Sequence, residues 1–335
     1  MLKQVPKPSK VEGNQVLLAT HSVGICGSDV HYWTHGCIGH FIVKAPMILG
    51  HETSATVVEI GSKVKNLKVG DRVAIEPGVP CRICDFCKEG RYNLCPDVYF
   101  AATPPDDGHL TRYFLHPEDF CFKLPDHVSF EEGAFLEPLS VGVHACKRAG
   151  IETGSNVLIT GAGPIGLVTL LVSKAFGAAS ICITDINEKR LALAKKVGAT
   201  HTLLIRDGVT AEESAKEVHR LMKCVPDRVV DCNGGEATLR LGILAIKNGG
   251  NMAVVGHGPS DVKIPIVNAT AREVNIIGIF RYRNCYPISL ELIASGKVDV
   301  KPLITHRFPL EKAVDAFEMA KSGQGIKVMI KCAKE

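Results

Sequence analysis

Val157-Leu158-Ile159-Thr160-Gly161-Ala162-Gly163-Pro164-Ile165-Gly166 is the stretch that decides the fold. An apolar run leads into a G-x-G-x-x-G string, and a helical pattern, Leu167 to Phe176, opens directly after it. Glycines in that strand-to-helix setting are the fingerprint of a dinucleotide-binding βαβ unit. Gly161 permits the tight turn, Gly163 lets the backbone approach a pyrophosphate, and Gly166 lets helix and strand pack closely. Pro164 and Ile165 head the helix, whose N-terminus offers unpaired N–H groups to phosphate. The fingerprint also demands a carboxylate about 20 residues on. Asp185 supplies it after Ile181-Cys182-Ile183-Thr184. A carboxylate there accepts hydrogen bonds from the ribose hydroxyls of NAD and repels the 2′-phosphate of NADP, so NAD is the expected cofactor. Arg190 reads either as a contact to adenine or ribose or as part of the solvated helix face Asn187-Glu188-Lys189-Arg190. A tight turn without a ligand is the alternative, and Asp185 counts against it.

Outward from that turn, short apolar runs alternate with amphipathic stretches, the pattern of βαβ units and a parallel sheet. Strands are expected at Asn156 to Thr160, Ser180 to Asp185, His201 to Ile205, Arg228 to Cys232, Asn251 to Gly256 and Val274 to Ile279. Helices are expected around Ile165 to Phe176, Glu188 to Val197, Ala211 to Met222 and Ala237 to Lys247. The first 140 or so residues differ. They are rich in Gly, Pro and Cys, with short β-type runs at Gln15 to Ala19, Thr56 to Ile60 and Arg72 to Ile75, and read as an irregular, mainly β domain. The tail from about Arg281 returns to mixed strand and helix, and its helices at Ile288 to Ala294 and Glu311 to Lys321 suit packing back on the first domain.

At 335 residues the chain has room for two domains. A composition 46% hydrophobic and 22% charged excludes disorder, and a net charge of +4 spread along the chain gives no footprint for nucleic acid or an anionic membrane. The uncharged run Thr153 to Ser173 carries four glycines and Pro164, so it reads as strand and turn in a buried core rather than a membrane span. No apolar h-region follows Met1, which leads to the expectation of a cytoplasmic protein. Thirteen cysteines, an odd number, then read as thiols and metal ligands rather than a disulfide framework.

Cys81, Cys84, Cys87 and Cys95 form C-x₂-C-x₂-C-x₇-C, close enough to converge on one tetrahedral ion. A closed four-sulfur site leaves no position for chemistry, which assigns a structural zinc stapling a loop too polar to fold on apolar burial alone. An iron–sulfur cluster is the chemical rival, disfavoured by the spacing. A nucleic-acid zinc ribbon is disfavoured because its knuckles stand further apart and because Lys88 and Arg91 are balanced by Asp85 and Glu89. Two other segments, Gly24-Ile25-Cys26-Gly27-Ser28-Asp29-Val30-His31 and Gly50-His51-Glu52, hold a thiol, an imidazole and a carboxylate. Three such ligands with a fourth position open make a catalytic zinc site. The residues alone leave standing an inert buried thiol and a satisfied core histidine.

The arrangement of these motifs resembles the zinc-containing medium-chain dehydrogenases over nearly the whole length, and within them the sorbitol dehydrogenase (polyol dehydrogenase, ketose reductase) group. The resemblance rests on Gly24 to His31, Gly50-His51-Glu52, the Cys81 to Cys95 lobe, Ala102-Thr103-Pro104-Pro105-Asp106-Asp107-Gly108, Leu136-Glu137-Pro138-Leu139-Ser140, the Gly161 to Gly166 turn and Phe280-Arg281-Tyr282. It implies an α/β protein with a GroES-like, mainly β catalytic domain over residues 1–140 and 276–335 and a Rossmann, doubly wound parallel-sheet domain over 141–275. It implies Cys26, His51 and Glu52 as ligands of a catalytic zinc. Glu137 stands where related alcohol dehydrogenases place a second cysteine ligand, so Glu52 and Glu137 compete for direct contact. Asp29 is then expected to accept the second N–H of His51. Ser28 and His31 match relay positions that carry a proton out. Tyr32, Phe100, Arg281 and Tyr282 match positions lining a polyol pocket, with Glu137 at its metal end, and Phe280 lies with the cofactor.

The implied reaction is zinc-assisted oxidation of a polyol by NAD, sorbitol to fructose and xylitol to its ketose, in a homotetramer. A related enzyme for another polyol or for threonine is the runner-up. A non-catalytic NAD- and zinc-binding protein has no need of Cys26, His51, Glu52, Glu137 and Asp185 together. Two departures stand out. The chain begins about one strand and turn late against the family, and Ala55 replaces the glycine usual after Gly-His-Glu, a small residue for a small one.

Overall fold

The computed structural model describes residues 1–333. The chain divides into two units, one formed by Met1–Glu137, Tyr286–Gly296 and the chain from Val300, the other by Pro138–Cys285 and Lys297–Asp299.

The second unit is built on a six-stranded sheet ordered His201–Leu204, Ser180–Asp185, Asn156–Thr160, Arg228–Asp231, Asn251–Val254 and Asn275–Gly278. Every pairing in it is parallel. The chain enters at the centre, winds to one edge, then returns and winds to the other, which puts the topological switch beside Asn156–Thr160, at the carboxyl ends of the strands. Thr160 is level with both Thr184 and Asp231. The Gly161 turn therefore leaves the sheet at the crevice where such folds bind ligands. Val157, Leu158 and Ile159 are fully buried, as an inner parallel strand requires. Six strands stand where the alternation predicts them, most ending a residue or two early. The helices Pro164–Ala175, Glu188–Val197, Ala211–Met222 and Glu236–Ala245 fill the crossovers.

The first unit holds a seven-stranded sheet ordered Ile304–Pro309, Lys327–Lys331, Gln15–Gly24, Glu52–Ile60, Arg72–Ile75 and Cys121–Lys123, with Tyr113–Pro117 also pairing to Gln15–Gly24. The two long strands run further than their apolar cores suggest. Thr20, Ser22, Thr53 and Ser54 are buried within them, their backbones satisfied by the ladder and their register broken by irregularities near Leu17 and Thr20. The helix Gly27–His35 leaves the first of these strands, and the tail helix Ala313–Lys321 packs with it over Val23, Ile25, Phe317, Val328 and Ile330. The tail thus returns to the first sheet. The second unit extends ten residues beyond the expected edge at 275, to Cys285. Asn275–Gly278 is hydrogen-bonded to Asn251–Val254, so the strand and the loop after it stay with the parallel sheet.

Candidate active site

In the first unit, Cys26 is the N-cap of Gly27–His35, and Asp29 in the first helical turn closes a capping box by accepting the Cys26 backbone N–H at 3.1 Å. The other carboxylate oxygen accepts the Gly50 N–H at 2.9 Å, so this fully buried side chain joins the helix start to the loop carrying His51. His51 Nδ1 lies 3.3 Å from the same oxygen, a long contact in this structure. Burial alone raises the Asp29 carboxyl, but His51 and the N–H groups of Gly50 and Cys26 outweigh it and hold it below its ordinary value. The Cys26 side chain also acts on His51. Phe100 stands beside the imidazole, with ring centroids 5.9 Å apart.

Glu52 opens the neighbouring strand opposite Gly24. A side chain at Gly24 would collide with its carboxylate, so the glycine makes room for it. The carboxylate is turned onto Lys327, whose Nζ donates to its two oxygens at 2.5 and 2.6 Å and to the Ile25 carbonyl oxygen at 3.1 Å. Lys327 and Glu52 are 2% and 1% exposed. Burial works against the Lys327 charge, yet Glu52, Cys26 and Glu137 together keep it firmly protonated. A thiol and two carboxyl groups thus act on one buried lysine. Sulfur, imidazole nitrogen and carboxylate oxygen are the donor types of an open zinc site, and the donor set fits that metal. Cys26 and His51 are brought together; Glu52 is held by Lys327 rather than aimed between them.

Glu137 stands in the first turn of Leu136–Ala149, after the helix Phe130–Ala134. Ser129 caps that helix, accepting the Glu132 N–H while Glu132 accepts the Ser129 N–H and hydroxyl. Tyr32 and Phe100 are buried, at 7% each. Ser28 and His31 are exposed or half-exposed on the Gly27–His35 helix.

The lobe from Cys81 to Cys95 has almost no regular structure beyond the single turns Asp85–Lys88 and Tyr92–Leu94. Its four sulfurs lie within 4.8 Å of one another, the one such group among the described residues. Backbone N–H groups of Ile83 and Cys84 aim at Cys81 Sγ and draw that thiol down to about 7, whereas burial and Cys84 push Cys87 up to about 12. Four thiols crowded together beside N–H donors fit a tetrahedral ion. The Tyr92 hydroxyl ties the lobe to the sheet by donating to Glu76 at 2.7 Å.

In the second unit Gly161 has φ +96, open to glycine at little cost. A Cβ at Gly166 would land on the Gly161 carbonyl, while one at Gly163 would meet nothing. The turn is therefore packed on one side and open on the other, the shape a pyrophosphate needs. Asp185 braces it, accepting the Ala162 N–H at 2.7 Å and the Asn187 N–H at 2.8 Å. Arg190 is half-buried on the next helix. Beyond the last strand, Arg281 takes a left-handed φ of 52 with its guanidinium 4.8 Å from the Phe280 ring centroid, and Tyr282 is buried.

Sequence reading missed three buried polar groups of the first unit. Lys327, in the otherwise apolar run Val328-Met329-Ile330, had a signal: a lysine buried in a strand needs a counter-charge. Glu76 is 2% exposed and pushed up from 4.5 to about 7, chiefly by burial. His109 stacks on Phe114 with centroids 4.1 Å apart, both ring nitrogens buried without a partner, and burial leaves it neutral.

Comparison with known proteins identifies the family of the chain. Residues 12–126 match the alcohol dehydrogenase GroES-like domain and residues 164–295 the zinc-binding dehydrogenase domain. The chain belongs to the zinc-binding, medium-chain dehydrogenases, in their sorbitol dehydrogenase group. Among its relatives, the sorbitol dehydrogenase of Gallus gallus is 54% identical over 98% of this chain and 92% of its own. That of Homo sapiens is 55% identical over 98% and 91%. Among solved structures, L-idonate 5-dehydrogenase of Escherichia coli superposes with a TM-score of 0.88 at 30% identity, covering 95% of this chain and 91% of its own. Galactitol-1-phosphate dehydrogenase of the same organism gives 0.88 at 28%, covering 98% and 96%.

Proposed function

We propose that this chain oxidises polyols with NAD, converting sorbitol to fructose and xylitol to its ketose. The observation that carries the reading is the buried Lys327–Glu52 pair on which Cys26 and Glu137 also act, with Cys26 in turn acting on His51, in a chain about 55% identical to sorbitol dehydrogenases. Cys26, His51 and one of Glu52 and Glu137 hold the catalytic zinc, which as a Lewis acid lowers the pKa of the alcohol. Asp29 orients the His51 ring, as carboxylates behind zinc histidines do. Tyr32 and Phe100 shape the polyol site, and Arg281 donates to substrate hydroxyls beside Tyr282. Ser28 takes the proton released at the alcohol oxygen and His31 passes it to solvent. Gly161, Gly163, Pro164, Ile165 and Gly166 would hold the pyrophosphate of NAD and Asp185 its ribose, with Arg190 and Phe280 alongside, and the bound nicotinamide would supply the hydride acceptor. Cys81, Cys84, Cys87 and Cys95 hold a second, structural zinc.

The chain assembles as a homotetramer in this reading. The edge strand Asn275–Gly278 carries a 39% exposed Ile276, and the preceding segment exposes Ile266 and Val267, at 50% and 75%. A cytoplasmic setting suits thirteen cysteines and the free thiols of the described residues. No helix of the described residues is long and apolar enough to cross a membrane.

Zinc per chain measured by elemental analysis, with initial rates on sorbitol and xylitol using NAD and NADP in parallel, tests the reading. The wild type is expected to hold two zincs and prefer NAD, and Cys26→Ala to hold one and lose activity. A wild type with one zinc, matched in metal and rate by Cys26→Ala, overturns the site.

A further inference from the structure

A second set of metal-ligating side chains stands on the helix Gly27–His35, apart from the buried cluster. His31 and His35 are four residues apart, which on an α-helix sets them one above the other on one face. Their ring centroids are 5.5 Å apart and their planes 34° tilted, and both side chains are exposed. Two histidines at this helical spacing are the ligand pair of many zinc sites.

A neutral imidazole has one unprotonated nitrogen, so the tautomer decides whether the pair can chelate. Thr34 settles it for His35. The Thr34 hydroxyl donates its only proton to the Val30 carbonyl oxygen at 2.7 Å. At the 2.8 Å contact between Thr34 Oγ1 and His35 Nδ1, the ring nitrogen must therefore be the donor. The lone pair of His35 is left on Nε2. A metal-ligating histidine is commonly fixed in this way, by the hydrogen bond its other nitrogen makes. His35 is also the last residue of the helix, before the left-handed cap Gly36, where the partial negative charge of the carbonyl end favours a cation. Among the described residues no third His, Cys, Asp or Glu joins the pair within 4.8 Å, so water completes the shell and the ion exchanges freely.

We infer that His31 and His35 form a surface site for a divalent transition-metal ion of the zinc class, and that filling it withdraws His31 from proton release. The second half rests on the relay role proposed above, since an imidazole whose lone pair is bound to a metal cannot accept a proton. Excess zinc then slows the enzyme without entering either of its resident zinc sites.

The test titrates the enzyme as isolated, its own zinc in place, with zinc chloride in a non-chelating buffer. Calorimetry reads binding, and initial rates with sorbitol and NAD read inhibition. Wild type is expected to bind one further equivalent and to slow as it fills. His35→Ala keeps the uninhibited rate, loses the equivalent and requires at least about 10-fold more zinc for half-inhibition. Thr34→Val, which keeps both rings but frees the tautomer, shifts binding the same way by less. Indistinguishable titrations of wild type and His35→Ala overturn the site. An equivalent lost in His35→Ala while the wild-type rate never moves keeps the site and overturns both the inhibition and the relay role of His31. The calorimetric arm needs no turnover, so it stands whatever the substrate.

Discussion

Lys327 and Glu52 show how much a single buried pair can decide. Each is almost fully removed from water and each is the other's charge partner. Removing one partner leaves an uncompensated buried charge, which costs about 3–5 kcal/mol. Lys327→Met is expected to lose that much in urea unfolding, and adding Glu52→Gln to recover most of it. A single variant within about 1 kcal/mol of wild type would show the charges are not coupled. His116 offers a test by pH. Burial lowers its ring from 6.5 to about 4, only partly opposed by the Glu76 carbonyl it bonds at 2.9 Å. Above pH 6.5 the ring is neutral in both folded and unfolded chains, and the stability is fully present. Between 6.5 and about 4 the unfolded chain takes up a proton that the folded one refuses, so stability falls as pH falls. His116→Asn is expected to flatten the stability profile across that window; an unchanged slope in urea melts between pH 7 and pH 4.5 sinks the assignment.

At the scale of the element, the glycine turn separates folding from binding. Gly166 faces the Gly161 carbonyl with no room for a methyl group, whereas Gly163 faces open space. Gly166→Ala is expected to lower the melting temperature by several degrees, as a backbone displacement costing about 1–3 kcal/mol would. Gly163→Ala is expected to melt like wild type while binding NADH, followed by its fluorescence, at least about tenfold more weakly, because the added methyl occupies the pyrophosphate approach. Equal NADH affinity in Gly163→Ala and wild type would remove the turn from the cofactor site. The turn was legible because everything it needs lies within one strand, one loop and one helix. The long strands Gln15–Gly24 and Glu52–Ile60 were read short because their buried Thr and Ser positions look like solvent-facing ones until the neighbouring strands are in place.

For the whole molecule, the Cys81 to Cys95 lobe is a part with little apolar burial of its own. Ile83 and Phe86 are 74% and 39% exposed, so in the proposed reading the lobe relies on a metal at its four sulfurs and on the Tyr92 anchor. A strong chelator is expected to remove its zinc and lower the melting temperature, and Cys84→Ser to reproduce that shift; a melt indifferent to both would mean the lobe holds by itself. Assembly is tested at the other unit's edge. Ile276→Lys puts a charge on the exposed strand Asn275–Gly278 and is expected to reduce the particle mass in light scattering without changing the zinc content.

The sequence by itself determined what is local: the dinucleotide turn, the carboxylate after its second strand, the four-cysteine spacing and the two segments carrying Cys26 and His51. These patterns are short because each reports backbone geometry or ligand reach within a few residues. Only the tertiary structure decided where Glu52 turns, because its partner is 275 residues away in the chain. The same holds for Glu76 and Tyr92, joined by folding across the lobe, and for the edge of the second unit, drawn by a strand pairing rather than by composition. Burial and long-range charge pairing depend on which surfaces meet, and a linear pattern records that only after the chain has closed on itself.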